Sequence, residues 1–175
     1  ILKDVLADIR RSENYKGNVL YDSSIRYVDN VISSLRSFLN KTGKLEDTLI
    51  VITSDHGGMF HNIPERDHIS HRLDCFYDEL YHVPLIFSDK ETCKLEYEGL
   101  TSSVDIAPTI LKKLNIEIPD SFRGIAVNVH EPGREYVIME NQGRGPCNLE
   151  TKSIRVCVRT SSMKLVYETE PASIS

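Results

Sequence analysis

The sequence predicts an α/β fold, a helix-flanked, mostly parallel or mixed central sheet followed by a smaller C-terminal antiparallel hairpin or sheet. Three observations carry that expectation. Apolar residues recur at spacings of three and four over Asp22 to Asn40, and again over Val104 to Asn115, which is the stripe of an amphipathic helix. Short unbroken apolar runs, Thr48 to Thr53 and Val83 to Phe87, have the composition of strands covered on both faces of a parallel sheet. Near the C-terminus the pattern changes to alternation, as in a strand with one face in water.

Taken in order, the first helix presents Ile25, Val28, Ile32, Leu35 and Leu39 on one side, with Asp22 or Ser23 able to cap its start and Gly43 just past its end. The strand Thr48 to Thr53 then runs directly into Ser54-Asp55-His56-Gly57-Gly58. A short helix is expected over Asp74 to Tyr81. Pro84 sits near the first residue of the second strand, where a missing N–H is tolerated. The second long helix, capped by Asp105, places Val104, Ala107, Ile110, Leu111 and Leu114 on one stripe and Pro108 in its first turn. Glu135 to Met139 reads as a third strand, followed by a polar, glycine-rich loop over Glu140 to Gly145. Ile154, Val156 and Val158 alternate with Arg155, Cys157 and Arg159; a turn at Thr160 to Ser162 then leads into Met163 to Glu168 and closes a hairpin.

Composition narrows the function classes. The 175 residues are 40% hydrophobic and 27% charged, enough apolar content for a core and too much for a disordered chain. A net charge of -5 and a pI near 5.7 give no overall positive field for nucleic acid or anionic lipid. No apolar run reaches the roughly 20 residues of a membrane span, and Ile1 to Leu6 lack the apolar stretch of a signal peptide. Cys75, Cys93, Cys147 and Cys157 form no C-x-x-C pair and are expected to be buried thiols. Asn40-Lys41-Thr42 is a glycosylation acceptor pattern, meaningful only in a secreted eukaryotic protein.

The most informative stretch is the strand that ends in an acid, an imidazole and two glycines. In open α/β sheets ligands bind beyond the carboxyl ends of strands, so Asp55 and His56 are expected to face a crevice there. A carboxylate oxygen beside a neutral ring nitrogen suits Ca²⁺, Mn²⁺ or Zn²⁺, and the glycines allow a sharp turn under a bound ion. A capped turn with a solvated histidine would account for the same triplet.

The sequence around it resembles the sulfatases, within the broader alkaline phosphatase-like superfamily. Tyr21-Asp22-Ser23-Ser24-Ile25-Arg26-Tyr27-Val28-Asp29 looks like the helix before the family's metal-binding strand, and Thr53-Ser54-Asp55-His56-Gly57 resembles its T-S-D-H-G. Phe76 to Ile86 is similar to F-Y-E-E-x-x-R-V-P-L-I, with His82 in place of the usual Arg. Ser103 to Leu111 resembles V-D-[IL]-x-P-T-[IL]-L, and Ile154 to Thr160 with Lys164 to Tyr167 resembles R-A-V-R-T-x-x-x-K-L-I-Y.

The resemblance implies a metal-dependent hydrolase of sulfuric esters, with residues 1–150 the C-terminal part of its α/β catalytic domain and 151–175 the start of the small antiparallel subdomain. It implies Asp55 and His56 as metal ligands, Asp55 also orienting the nucleophile, and Ca²⁺ as the cation; Mn²⁺ or Zn²⁺ would go with a phosphate or phosphonate ester hydrolase or a phospho-group transferase. The family's nucleophile motif, C-x-P-x-R or S-x-P-x-R, whose first residue matures to formylglycine, does not occur here. The chain is therefore expected to be completed by an N-terminal part, to be inactive alone and to work outside the cytosol. Asp67-His68 falls where sulfatases often have G-D-H, but Leu73 stands where a sulfate-contacting Lys is expected, leaving Arg72 or His71 to supply that charge. A non-catalytic binding domain that keeps the fold is the alternative of another class.

Overall fold

Residues 19–58, 76–90, 96–141 and 155–168 are described by the structure, a computed structural model. The chain divides into two units, Ile1–Ile69 with Val83–Thr92 and Ser70–His82 with Cys93–Ser175.

In the first unit, α1 spans Val19–Lys41, longer than the predicted helix at its start by one turn. Its sequence holds neither Gly nor Pro, yet it is rich in Val, Ile, Ser, Asp and Asn, which are middling helix formers and need packing to hold a helix. It stops where Gly43 adopts φ 67°, the left-handed conformation that glycine enters without a side-chain clash. The Lys44 N–H then reaches back to the Leu39 carbonyl at 2.8 Å and the Thr42 N–H to Phe38 at 3.0 Å, satisfying carbonyls that the helix end would orphan. A 3-10 turn at Leu45–Asp47 leads into β1, Ile50–Thr53.

β1 pairs with β2, Leu85–Ser88, from Ile50 opposite Ser88 to Thr53 opposite Leu85. The pair is antiparallel and half-buried rather than parallel and covered on both faces as the sequence predicts. Among the described residues no parallel pair occurs, so the central sheet is seen only as these two strands. An apolar run reports how much of a strand meets apolar neighbours; it carries no record of the direction in which the next strand runs. Arg36 ties α1 to β2 by donating to the Ser88 hydroxyl at 3.0 Å.

The second unit begins, among described residues, with Phe76 and α2, Asp78–Tyr81. Phe76 and Leu80 are buried, and the Phe76 ring stacks on Tyr81 with centroids 5.5 Å apart. A 3-10 turn at Ser103–Asp105 continues into α3, Ile106–Lys113, whose Pro108 and Thr109 are buried. Asp105 is 1% exposed. Its carboxylate accepts from the Ser102 N–H at 2.9 Å, from the Ile125 N–H at 2.7 Å and from Arg134 Nε at 2.7 Å, with Arg134 Nη2 completing a two-pronged ion pair. Thr109 works the same seam, donating to the Asp105 carbonyl at 2.6 Å and accepting from the Val127 N–H at 2.9 Å. Two buried polar side chains thus stitch the Ile125–Val127 backbone to α3. Gly124 makes this approach possible, because a Cβ there would overlap the Val104 carbonyl.

β3, Val137–Asn141, β4, Arg155–Arg159, and β5, Lys164–Glu168, form an antiparallel sheet in that order, so the predicted C-terminal hairpin gains a third strand. The alternation in β4 orients differently from a simple apolar-inward reading: Cys157 has 0% exposure, while Val156 and Val158 are only half-buried. Cys157 lies opposite Met139 and Val166. On that same face Arg155 pairs with the directly opposed Glu168 at 2.8 Å. The next pair on this face, Arg159 opposite Lys164, sets like charges together, which alone would be destabilising. Asp78 resolves it by accepting from Lys164 Nζ at 2.7 Å and Arg159 Nη2 at 3.2 Å, while Lys164 also donates to the Phe76 carbonyl at 2.6 Å.

These two anchors should differ in energetic weight. Burial pushes the Asp105 carboxyl upward more than any other single influence, yet Arg134 and the Ile125 and Ser102 N–H groups together outweigh it and leave the group below its ordinary 3.8. A carboxyl depressed in the folded state contributes stability that is present above its unfolded value and is lost as pH falls through the lower folded value. Asp105→Ala is expected to cost about 3–5 kcal/mol in urea unfolding, because it strands the Arg134 charge and two buried donors. Asp78 is half exposed, so Asp78→Ala should cost about 1 kcal/mol. Asp105→Asn should also flatten the loss of stability below about pH 4; equal losses for the two alanine variants would show that burial does not rank these anchors.

Candidate functional site

β1 ends at Thr53, and the backbone turns at once. Ser54 makes the turn by donating its hydroxyl to the His56 carbonyl at 2.7 Å, a local side-chain bond that competes with continued strand pairing. Asp55 Oδ1 accepts from the His56 N–H at 2.9 Å, so the aspartate is held by its own neighbour's backbone. His56 Nδ1 lies 2.7 Å from the Gly57 carbonyl. A carbonyl only accepts, which assigns the proton to Nδ1 and makes Nε2 the acceptor of the neutral ring. Asp55 Oδ2 and His56 Nε2 stand 3.7 Å apart, with the aspartate side chain 86% and the histidine side chain 49% exposed.

This arrangement has the chemistry of a half-built cation site. The Asp55 carboxyl is held below 3.8 chiefly by the His56 N–H, then by the positive charge the His56 ring carries when it is protonated, with the Ser54 hydroxyl adding to both. It is an anion at neutral pH. A histidine whose other ring nitrogen is tied to a backbone carbonyl is in the state that metal-binding histidines adopt, with orientation and tautomer set before a cation arrives. An oxygen and a nitrogen 3.7 Å apart can be bridged by one ion with bonds of about 2.0–2.5 Å. Asp55 and His56 therefore fit a cation, but two side chains do not complete one: among the described residues no group of three His, Cys, Asp or Glu side chains converges.

Of the other sequence-predicted residues, His68, His71 and Arg72 lie outside the described residues, as do Cys75, Cys93, Cys147 and most of the Glu140 to Gly145 loop. Asp29 is on the exposed surface of α1. It lines an open polar groove of about 520 Å³ with Ser33, Arg36, Asn40 and Leu45, a groove that includes neither Asp55 nor His56. Asp105 stands at the N-cap position of α3, but its side chain makes no capping bond to that helix; it closes the capping box of the preceding 3-10 turn with Ser102 and pairs with Arg134. Sequence reasoning assigned no role to Arg134, whose bidentate pairing is set by a fold contact 29 residues away in the chain. Asp78 and Lys164 were likewise unpartnered in sequence; the signal was the pair of cations that hairpin register places opposite one another.

The family model described as Sulfatase matches residues 13–116, and the chain belongs to the sulfatase family. It is 31% identical over 133 residues to an N-acetylglucosamine-6-O-sulfatase of Bacteroides thetaiotaomicron, covering 73% of this chain and 21% of the relative. It is 31% identical over 108 residues to the multifunctional alkaline phosphatase superfamily protein PehA of Trinickia caryophylli, covering 59% of this chain and 20% of that one. Arylsulfatase K of Bos taurus is 25% identical over 162 residues, 83% of this chain and 28% of the relative. The chain thus spans about a fifth to just over a quarter of the length of these curated relatives. No solved structure matches it at a significant level.

The local geometry makes a titration testable. The largest influence on Asp55 is a backbone N–H, which survives any side-chain substitution at position 56. In His56→Ala the Asp55 carboxyl, followed by carbon-detected NMR, should titrate higher than in the parent chain but still below 3.8. A value at or above 3.8 would assign the depression to the ring's charge instead.

Proposed function

We propose that this chain is the C-terminal part of a metal-dependent sulfuric ester hydrolase, in which Asp55 and His56 supply two of the ligands of a divalent cation. The single observation that supports it most is the turn at the end of β1. There the Asp55 carboxylate and the His56 Nε2 stand 3.7 Å apart in solvent, each already oriented by a backbone bond, in a chain that belongs to the sulfatase family. The exposed oxygens favour a hard cation, Ca²⁺ in the first instance. When bound, the cation would neutralise non-bridging oxygens of the ester as charge moves toward the leaving group.

What the chain's own residues do follows from their placement. Ser54 holds the turn, the Gly57 carbonyl keeps the His56 proton on Nδ1, and Asp55 stays anionic and can orient a neighbouring nucleophile. Arg72, or His68, would give the substrate sulfate a positive or proton-donating contact. The nucleophile, a formylglycine on this reading, and the remaining acidic ligands would come from an N-terminal part of the same enzyme, acting outside the cytosol. Among the described residues no helix is long and apolar enough to cross a membrane.

A second reading is favoured by two observations. Leu73 occupies the place of the sulfate-contacting Lys, and PehA, named as a multifunctional alkaline phosphatase superfamily protein, is as similar in identity as the sulfatase relative. Phosphate or phosphonate ester hydrolysis, or phospho-group transfer, with Mn²⁺ or Zn²⁺, would use the same half-site.

The 175-residue chain alone should show no sulfatase or phosphatase turnover, since a charge-stabilising half-site offers no covalent route. Its Ca²⁺ affinity by calorimetry should be no tighter than about millimolar, in line with too few ligands. In the complete protein Asp55→Ala should lower kcat by more than about a thousandfold, because it disturbs cation and nucleophile together, whereas Arg72→Ala should cost at most about a hundred- to a thousandfold as a single substrate contact. Steady-state kinetics with an aryl sulfate and an aryl phosphate ester, each at saturating metal, decides between the two readings. A complete protein that turns over neither and is insensitive to Asp55→Ala would instead be a binding domain that keeps the fold.

A further inference from the structure

The stripe that makes α1 amphipathic is only partly covered, at Ile32 and Leu39. Ile25, Val28, Val31 and Leu35 remain 48–53% exposed on consecutive turns, although Arg36 already ties the helix to β2 through Ser88. A helix built largely of Val, Ile, Ser, Asp and Asn draws little from intrinsic propensity and depends on burying its apolar face. The strands beside it share the shortage. Among the described residues β1 and β2 form a sheet of two strands, which is marginal in water without further strands or a packed layer, and Ile86 on β2 is half exposed as well. Row after row of large apolar side chains with no charge among them calls for an apolar occupant.

We propose that this face of α1 is the docking surface for the missing majority of the same catalytic domain. The inference rests on the reading that the chain is one part of a longer enzyme, and it names the surface on which the two parts join. The chain spans about a fifth to just over a quarter of the length of its curated relatives, and on that reading the rest of the enzyme is the occupant. A second copy of the chain is the other possible occupant, and the labelling experiment below separates the two. Docking here would also set Asp55 and His56, which follow β1 in the same unit, at a fixed distance from whatever the other part contributes.

Single cysteines at Val28 and Leu35, with Lys41→Cys on the polar side as a control, read this directly. Maleimide labelling is followed peptide by peptide in a mass spectrometer, so that the native cysteines are separated from the introduced ones. In the 175-residue chain all three should react at similar rates. In the complete protein Val28→Cys and Leu35→Cys should react at least about tenfold more slowly, reachable only through local opening, while Lys41→Cys is unchanged. Equal reactivity in both contexts overturns the proposal. Protection already present in the 175-residue chain also overturns it: if it varies with concentration a second copy is the occupant, and if not the chain covers the face itself. The outcome is independent of the chemistry: protection in a protein without sulfatase activity would leave the docking surface standing, and an active sulfatase with an open α1 face would remove only the docking surface.

Discussion

A carboxylate that is almost wholly withdrawn from water must have its charge met where it lies, and Asp105 imposes that constraint on the second unit. Four donors converge on its two oxygens, from Ser102, Ile125 and both prongs of Arg134. These four donors come from three stretches of chain, so satisfying one side chain fixes the start of α3, the Ile125–Val127 segment and the approach of Arg134 at once. The backbone contact from Arg134 to Leu100 follows from the same placement. Loss of any donor would leave a buried charge poorly solvated, which is why such networks are either complete or costly.

Three aspartates in this chain show how surroundings decide what an acid is for. Asp105 has no oxygen to spare, since every acceptor direction is taken by protein. Asp78 bridges Lys164 and Arg159 at the surface and relieves a like-charge clash that hairpin register creates. Asp55 is also depressed in pKa, first by the His56 N–H and then by the adjacent ring, but only by groups of its own turn, and its carboxylate is otherwise exposed to water. All three are anions at neutral pH, so charge state does not separate them. What separates them is the number of acceptor positions left for something the chain does not itself contain.

That distinction also marks what could be read in the sequence. Periodicity located α1, β1, β2, α3 and the C-terminal hairpin to within a few residues, because burial of one face leaves a repeating trace in the order of residue types. Asp55 and His56 were legible because they follow a strand directly, so local geometry alone brings them together. Pairing direction was not: the run Leu49 to Thr53 looks the same whether its neighbour is parallel or antiparallel. Cys157 is the buried free thiol that its residue type leads one to expect, whereas the alternation of β4 alone does not show which of its two faces is covered. Arg134 had no trace at all, since a partner 29 residues away is chosen by the fold and not by spacing.

The turn after β1 is ordered by bonds that owe nothing to a ligand. Ser54 grips the His56 carbonyl, the His56 N–H grips Asp55, and Gly57 takes the ring proton, so each of the two candidate ligands is oriented by a backbone group one or two residues away. Such short-range bonds form as soon as the turn forms and need no contact with the second unit. A cation binding there would not have to reorganise either side chain, which lowers the entropic cost of assembling the site. The same locality explains why so exposed an arrangement can persist in a chain whose neighbouring helix still shows its apolar face. Orientation of the ligands is encoded within five residues, Ser54 to Gly58, whereas their enclosure depends on surface that this stretch of sequence does not supply.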